Sequence, residues 1–305
     1  MKIKRKAVVA GQFYPRSKEE LIQIIEDCFL DKDFGIGKHL EIGERKSHRS
    51  IIGGVCPHAG YVYSGSAATH TIQKIASEGV PNTVIILGTQ HTGYRDIGTM
   101  VDGEWEIPLG TLEIDSETAN ALVNNCNLIK NDHDAFFGYP HGHEHNIEVQ
   151  LPFLKYMADK AGVKLKIVPI KIGVMNLQKL VELGKSIGKT LNEIENKQFF
   201  ILASSDMTHK SPHNYRNPKN DLDEMREVDY AVINSIKEYN WEKTFENALK
   251  TTVCGPQTIT TAMVACKEMG ATKAEFLKYY NSYEKMGGNG PCDYAVGYLS
   301  AVFIK

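Results

Sequence analysis

Ile51-Ile52-Gly53-Gly54-Val55-Cys56-Pro57-His58-Ala59-Gly60-Tyr61 is an apolar run that breaks into turn residues around a histidine. The pattern occurs twice more. Thr83-Val84-Ile85-Ile86-Leu87-Gly88 leads into Thr89-Gln90-His91-Thr92-Gly93, and Phe199-Phe200-Ile201-Leu202-Ala203 leads into Ser204-Ser205-Asp206-Met207-Thr208-His209. Runs this short, with no polar alternation, have the character of parallel strands covered on both faces. In open α/β sheets, ligands bind beyond the carboxyl ends of such strands, so the three motifs are expected to converge on one site.

Working outward, Leu165 to Gly173 reads as another strand, with Pro169 predicting an edge or a bulge, and Tyr298 to Ile304 reads as a strand that orders the terminus. Helical patterns lie between the runs: Ser66 to Glu78, Leu177 to Ile194 and Pro256 to Met269. Ser17-Lys18-Glu19-Glu20 ahead of Leu21, Ile24, Ile25 and Phe29 predicts a capped amphipathic helix. Lys32 to Ser50 reads as a surface connection, and Val101 to Leu112 as an antiparallel hairpin turning at Asp102-Gly103. Strands alternating with helices predict an α/β fold, a mostly parallel central sheet flanked by helices, in a single domain over residues 1–305. No Pro/Ser-rich linker or internal repeat divides the chain.

Composition removes several function classes. The 305 residues carry 35 basic against 37 acidic side chains, a formal net charge of -2, which predicts neither a nucleic-acid footprint nor an acidic tail. No apolar run approaches the roughly 18 residues of a membrane helix, and Met1-Lys2-Ile3-Lys4-Arg5-Lys6 lacks a signal-peptide core. A soluble, cytoplasmic protein is expected. The six cysteines, at 28, 56, 126, 254, 266 and 292, form no CxxC pair and are expected as reduced thiols. Cys254 stands apart. It lies in Thr252-Val253-Cys254-Gly255-Pro256 ahead of an apolar helix, whose free N–H groups would favour a thiolate.

Of the eleven histidines, His39 and His48 read as exposed and His70 as a helix-face residue. His58 and His91, at the ends of separate strands and near glycine, suit metal ligation, because neutral imidazole is a common ligand and glycine allows close backbone approach. If Met207 opens a helix, Asp206 and His209 both face the crevice; otherwise Ser204, Ser205 or Asp206 caps a helix and His209 is superficial. In His141-Gly142-His143-Glu144-His145, His145 is expected beside the site and the other two histidines in solvent. Asn146 is expected to cap the helix that follows.

Ala7-Val8-Val9-Ala10-Gly11-Gln12-Phe13-Tyr14-Pro15, Pro57 to Gly65, Leu87 to His91, Glu144 to Phe153, Ser204 to His209 and Cys254-Gly255 together resemble the Memo family, in order and over nearly the whole chain. Prokaryotic members are often named as component B of a three-part system with an AMMECR1-like protein and a radical SAM protein, which the resemblance makes possible partners. It implies a fold similar to class III extradiol dioxygenases and an iron or copper ion held by His58, His91 and Cys254, with Asp206 and His209 beside it. A typical dioxygenase of that kind presents two histidines and a carboxylate, so the thiolate puts ring cleavage in question.

The chemistry of the donors points the same way. Two histidines and a carboxylate leave open positions on Fe(II), whereas a soft thiolate favours copper or zinc. Asp206 as the third donor would suit iron, and Cys254 copper. His209 has the pKa range of a general acid or base, with Asp206 and His145 as the other candidate catalytic groups. Two functions follow: a metal-dependent oxidoreductase acting on a small organic molecule, or a scaffold that binds a peptide or partner protein in the same crevice. Metal-assisted hydrolysis ranks third, because no zinc-hydrolase glutamate motif is present. Phe13, Tyr14, Tyr61 and Tyr63 suit the lining of either a substrate pocket or a peptide groove, the plainer alternative being that at least two of them pack in the core.

Overall fold

The computed structural model describes residues 3–138 and 142–305. In chain order it contains β1 (Lys4–Lys6), α1 (Lys18–Leu30), β2 (Ile51–Cys56), α2 (Tyr61–Ala76) and β3 (Thr83–Thr89). There follow β4 (Ile97–Thr99), β5 (Glu104–Ile107), β6 (Gly110–Ile114), α3 (Ser116–Asn125), β7 (Ile129–Asn131), α4 (Asp134–Phe137), β8 (Gly142–His143) and α5 (Leu151–Lys160). The second half has β9 (Lys166–Ile172), α6 (Leu177–Glu193), β10 (Phe199–Ser204), β11 (His209–Lys210), α7 (Lys219–Lys237) and α8 (Trp241–Leu249). It closes with α9 (Pro256–Glu268), β12 (Lys273–Asn281), α10 (Ser282–Lys285) and β13 (Ala295–Ile304).

The three apolar runs form β2, β3 and β10, and every residue of these strands is buried. With β9 they make a parallel block in the order β9-β3-β10-β2. Their carboxyl ends therefore open on one edge. β13 runs antiparallel to β2 and pairs in turn with β12, while β6, β5 and β1 extend the other side. Helices α6 and α9 pack together over β10, β3 and β2, and α1, α2 and α5 form a second group against β2, β13 and β6. Gly53 makes the close approach of α9 possible, since a Cβ there would collide with the Cys266 sulfur. The fold is α/β, a mixed but mostly parallel sheet flanked by helices.

Ser17 caps α1 as its sequence predicts, accepting the Glu20 N–H at 3.1 Å. Other expectations need correction. Pro169 marks neither an edge nor a bulge: β9 is interior, and its pairing with β3 is regular from Lys166 to Ile172. On its other side the partner changes, from β6 up to Ile167 to β4 from Ile170, so Pro169 falls in the gap where no ladder bond is required of it. The hairpin turns at Pro108-Leu109, not Asp102-Gly103. Gly103, at φ 108°, instead lets the chain pass close to the Ile3 carbonyl.

Helix α2 starts five residues before the expected Ser66, and Met207 opens no helix, because a short irregular link joins β10 to β11. Asn146 caps nothing: a turn of 3-10 helix, Glu148–Gln150, intervenes before α5. That turn is tied to the start of the chain. Buried Arg5 donates from Nη1 to Glu148 Oε2 at 2.6 Å, and Glu148 also accepts from the Val9 N–H and the Tyr14 hydroxyl at 3.0 and 2.7 Å. A buried charge is tolerable only when so partnered.

Candidate functional site

His58 follows β2, His91 lies two residues beyond β3, and Cys254 directly precedes Gly255, the cap of α9. One ligand atom from each lies within 4.8 Å of the others, so the group could hold a metal ion. His58 is buried, Cys254 half-buried and His91 exposed toward solvent. Cys254 Sγ and His58 Nε2 are 3.3 Å apart, and the two histidine rings meet edge to face at 5.5 Å.

Each donor is braced. The His58 N–H donates to Asp206 Oδ1 at 2.7 Å, and its ring Nδ1 lies 3.0 Å from Ser204 Oγ. The Asp206 N–H donates to Cys254 Sγ at 3.2 Å. Asn146 donates its amide to the Thr89 carbonyl at 2.7 Å and stands 3.2 Å from His91 Nδ1. The Asp206 carboxylate is close, with Oδ2 3.9 Å from His58 Nε2, but its other oxygen is committed to the backbone of His58.

Electrostatics suit a cation. Burial lowers the pKa of His58, His145 and His209, and His91, exposed as a residue but with its ring desolvated by the surrounding protein and repelled by His145 and His209, is brought to about 4, so these rings are neutral and have a lone pair available. Burial pushes Asp206 up to about 7 against the pull of the His58 and Ala59 N–H groups. The thiolate expected of Cys254 from the helix start is reversed. Burial first, and the neighbouring Asp206 charge second, push its thiol well above the ordinary range, so ionisation there requires a positive charge such as a bound metal.

A cleft of about 530 Å³ opens beside the group, lined by the polar side chains of His58, His91, His145, Asp206 and His209 together with Phe13, Tyr63, Tyr294, Val296 and Tyr298. His145 stacks on His91 at 4.8 Å and contacts Phe13 at 5.2 Å. His209 Nδ1 shares a hydrogen bond with the Tyr294 hydroxyl, 2.7 Å away, while its buried Nε2 has no protein partner among the described residues. Of the four aromatics, Tyr14 and Tyr61 pack in the core, whereas Phe13 and Tyr63 reach the cleft. Phe13 also walls a second, neighbouring space of about 650 Å³ bounded by Gly11, Arg16, Ile24 and Val62.

Residues 5–302 match the family described as Memo-like protein. The chain belongs to the Memo-like family. MEMO1 family proteins of Thermococcus onnurineus and Methanopyrus kandleri are each 38% identical to it, over 99% of this chain and 99% and 100% of their own lengths. A MEMO1 family protein of Nitrosopumilus maritimus is 37% identical over 98% of this chain and 99% of its own.

In this Memo-like chain all six residues singled out from the sequence, His58, His91, Cys254, Asp206, His209 and His145, meet at one end of the sheet. His143 is exposed as expected, and His141 lies outside the described residues. Sequence reading missed Ser204, Gln150 and Tyr294 as neighbours of the site. Gln150 left one signal, a polar side chain in a segment otherwise facing the core. Tyr294, which comes in just ahead of β13, left none.

Proposed function

We propose that this protein is a metal-dependent oxidoreductase acting on a small organic molecule bound in the cleft beside His58, His91 and Cys254. The observation that carries it is the convergence of a thiol with two neutral imidazoles that line a mostly apolar cleft. Such a donor set fits iron or copper, and the soft sulfur favours copper. An ion of either kind held there would supply one-electron chemistry with dioxygen. His209 takes or gives a proton at Nε2, with Tyr294 fixing the ring from behind. Asp206 keeps His58 in place through its main chain, His145 backs His91, and Phe13, Tyr63 and Tyr298 hold an organic face and limit water.

A second reading is supported by the rim, where Val62, Tyr63 and Tyr294 are 55%, 39% and 53% exposed. Side chains of this type suit a peptide or a protein partner, such as the AMMECR1-like and radical SAM proteins of the same system. Elemental analysis of anaerobically purified protein separates the two. Near-stoichiometric iron or copper, lost in folded His58→Ala and Cys254→Ser, together with metal-dependent oxygen uptake, is the expected result. Wild type that takes up no metal on reconstitution refutes the oxidoreductase and leaves partner binding.

A further inference from the structure

Ser204 Oγ touches three groups, and their donor and acceptor roles permit only one arrangement of hydrogens. The Asn146 carbonyl, 2.7 Å away, can only accept, so the hydroxyl proton goes there. Gln150 Nε2, 2.9 Å away, can only donate, and its orientation is fixed because the same nitrogen donates to the Pro57 carbonyl, also at 2.9 Å. One lone pair of the hydroxyl remains. It faces His58 Nδ1 at 3.0 Å.

We propose that Ser204, oriented by Gln150 and the Asn146 carbonyl, is a positioning residue that locks His58 in the Nδ1–H tautomer and so presents a bare Nε2 to the metal site. Ser204, Gln150, Asn146 and His58 are all at least 97% buried, so water does not compete for these bonds. The opposite tautomer would turn an N–H on Nε2 toward Cys254 Sγ, 3.3 Å away, where a metal must enter, and would leave Nδ1 facing a hydroxyl with no proton to give. Partners of this kind commonly fix the tautomer of ligating histidines. The inference rests on the reading of His58 as a ligand, but the tautomer itself is a property of the metal-free protein.

The test is a long-range proton–nitrogen correlation spectrum of metal-free protein labelled with 15N-histidine, with His58 assigned by comparison with His58→Gln. Wild type is expected to show protonated Nδ1 and bare Nε2 for His58. Ser204→Ala is expected to shift that ring toward Nε2–H and to weaken Co(II) binding by roughly 10–100-fold, the usual cost of losing such a partner. Gln150→Leu, which leaves the hydroxyl free to turn, should give a smaller shift in the same direction. A wild-type ring with protonated Nε2 overturns the proposal, and so does a folded Ser204→Ala with tautomer and Co(II) affinity unchanged. If Ser204→Ala does not fold, the wild-type spectrum and Gln150→Leu decide. Wild type that fails to bind Co(II) while showing the expected tautomer counts against the metal site and not against the lock.

Discussion

Gly88 is where the sheet touches the segment that braces both histidines. It lies in β3, and a Cβ on it would collide with the Asn146 amide oxygen and come within 2.5 Å of Ile147 Cγ1. Neither neighbour can give way easily, because Asn146 is held to the Thr89 carbonyl and Ile147 is fully buried. Gly88→Ala should therefore cost about 1–3 kcal/mol, the usual range for overpacking. It should also push Asn146 away from His91. A urea titration reads the first effect and a Co(II) titration the second; full stability with unaltered binding would show that Asn146 has no part in holding His91.

At the scale of elements, Glu78 joins the end of α2 to the start of β2. Its carboxylate accepts the N–H groups of Ser50 and Ile51, both at 2.9 Å, and pairs with Lys46 at 2.7 Å. Despite burial, these bonds bring its pKa down from 4.5 to about 2. Because the folded value is the lower one, the stabilisation is complete above about pH 4.5 and is lost as pH falls toward 2. Glu78→Ala should cost about 1.5–3 kcal/mol at neutral pH, as expected for hydrogen bonds to a charged group. Acid unfolding followed by circular dichroism should be correspondingly shallower in the variant between those two values. The same stretch shows what the sequence could and could not disclose. β2, β3 and β10 were legible because strands buried on both faces need continuous apolar residues. The first turn of α2 was not, since Tyr61-Val62-Tyr63-Ser64-Gly65 has weak helix propensity and is fixed by contacts far along the chain, such as Tyr61 on Phe153 at 4.6 Å. The site divides in the same way: histidines at strand ends show in the sequence, whereas Ser204 resembled a helix cap and Tyr294 is brought in only when β13 joins the sheet.

Over the whole molecule, the three residues that could hold a metal come from three distant connections, with His58 and Cys254 196 residues apart. An unfolded chain does not hold them together, so an ion bound by all three adds its binding energy to the stability of the fold. At a free Co(II) concentration 100 times the dissociation constant, unfolding should become harder by about 2.7 kcal/mol. Calorimetry should show the rise in wild type and none in His58→Ala. An equal rise in both would place the ion elsewhere. The described residues include no helix long and apolar enough to cross a membrane.

The placement of Phe13 has a further consequence. Phe13 lines both the 530 Å³ cleft and the 650 Å³ space beside it, so one side chain shapes two neighbouring volumes at once. Phe13→Ala would enlarge both. The reach of the protein, in this sense, is adjustable at a side chain that offers no ligand atom, although it packs on His145 and through it on His91: a chemist wishing to broaden its range of guests would begin at residue 13 and leave His58, His91 and Cys254 alone.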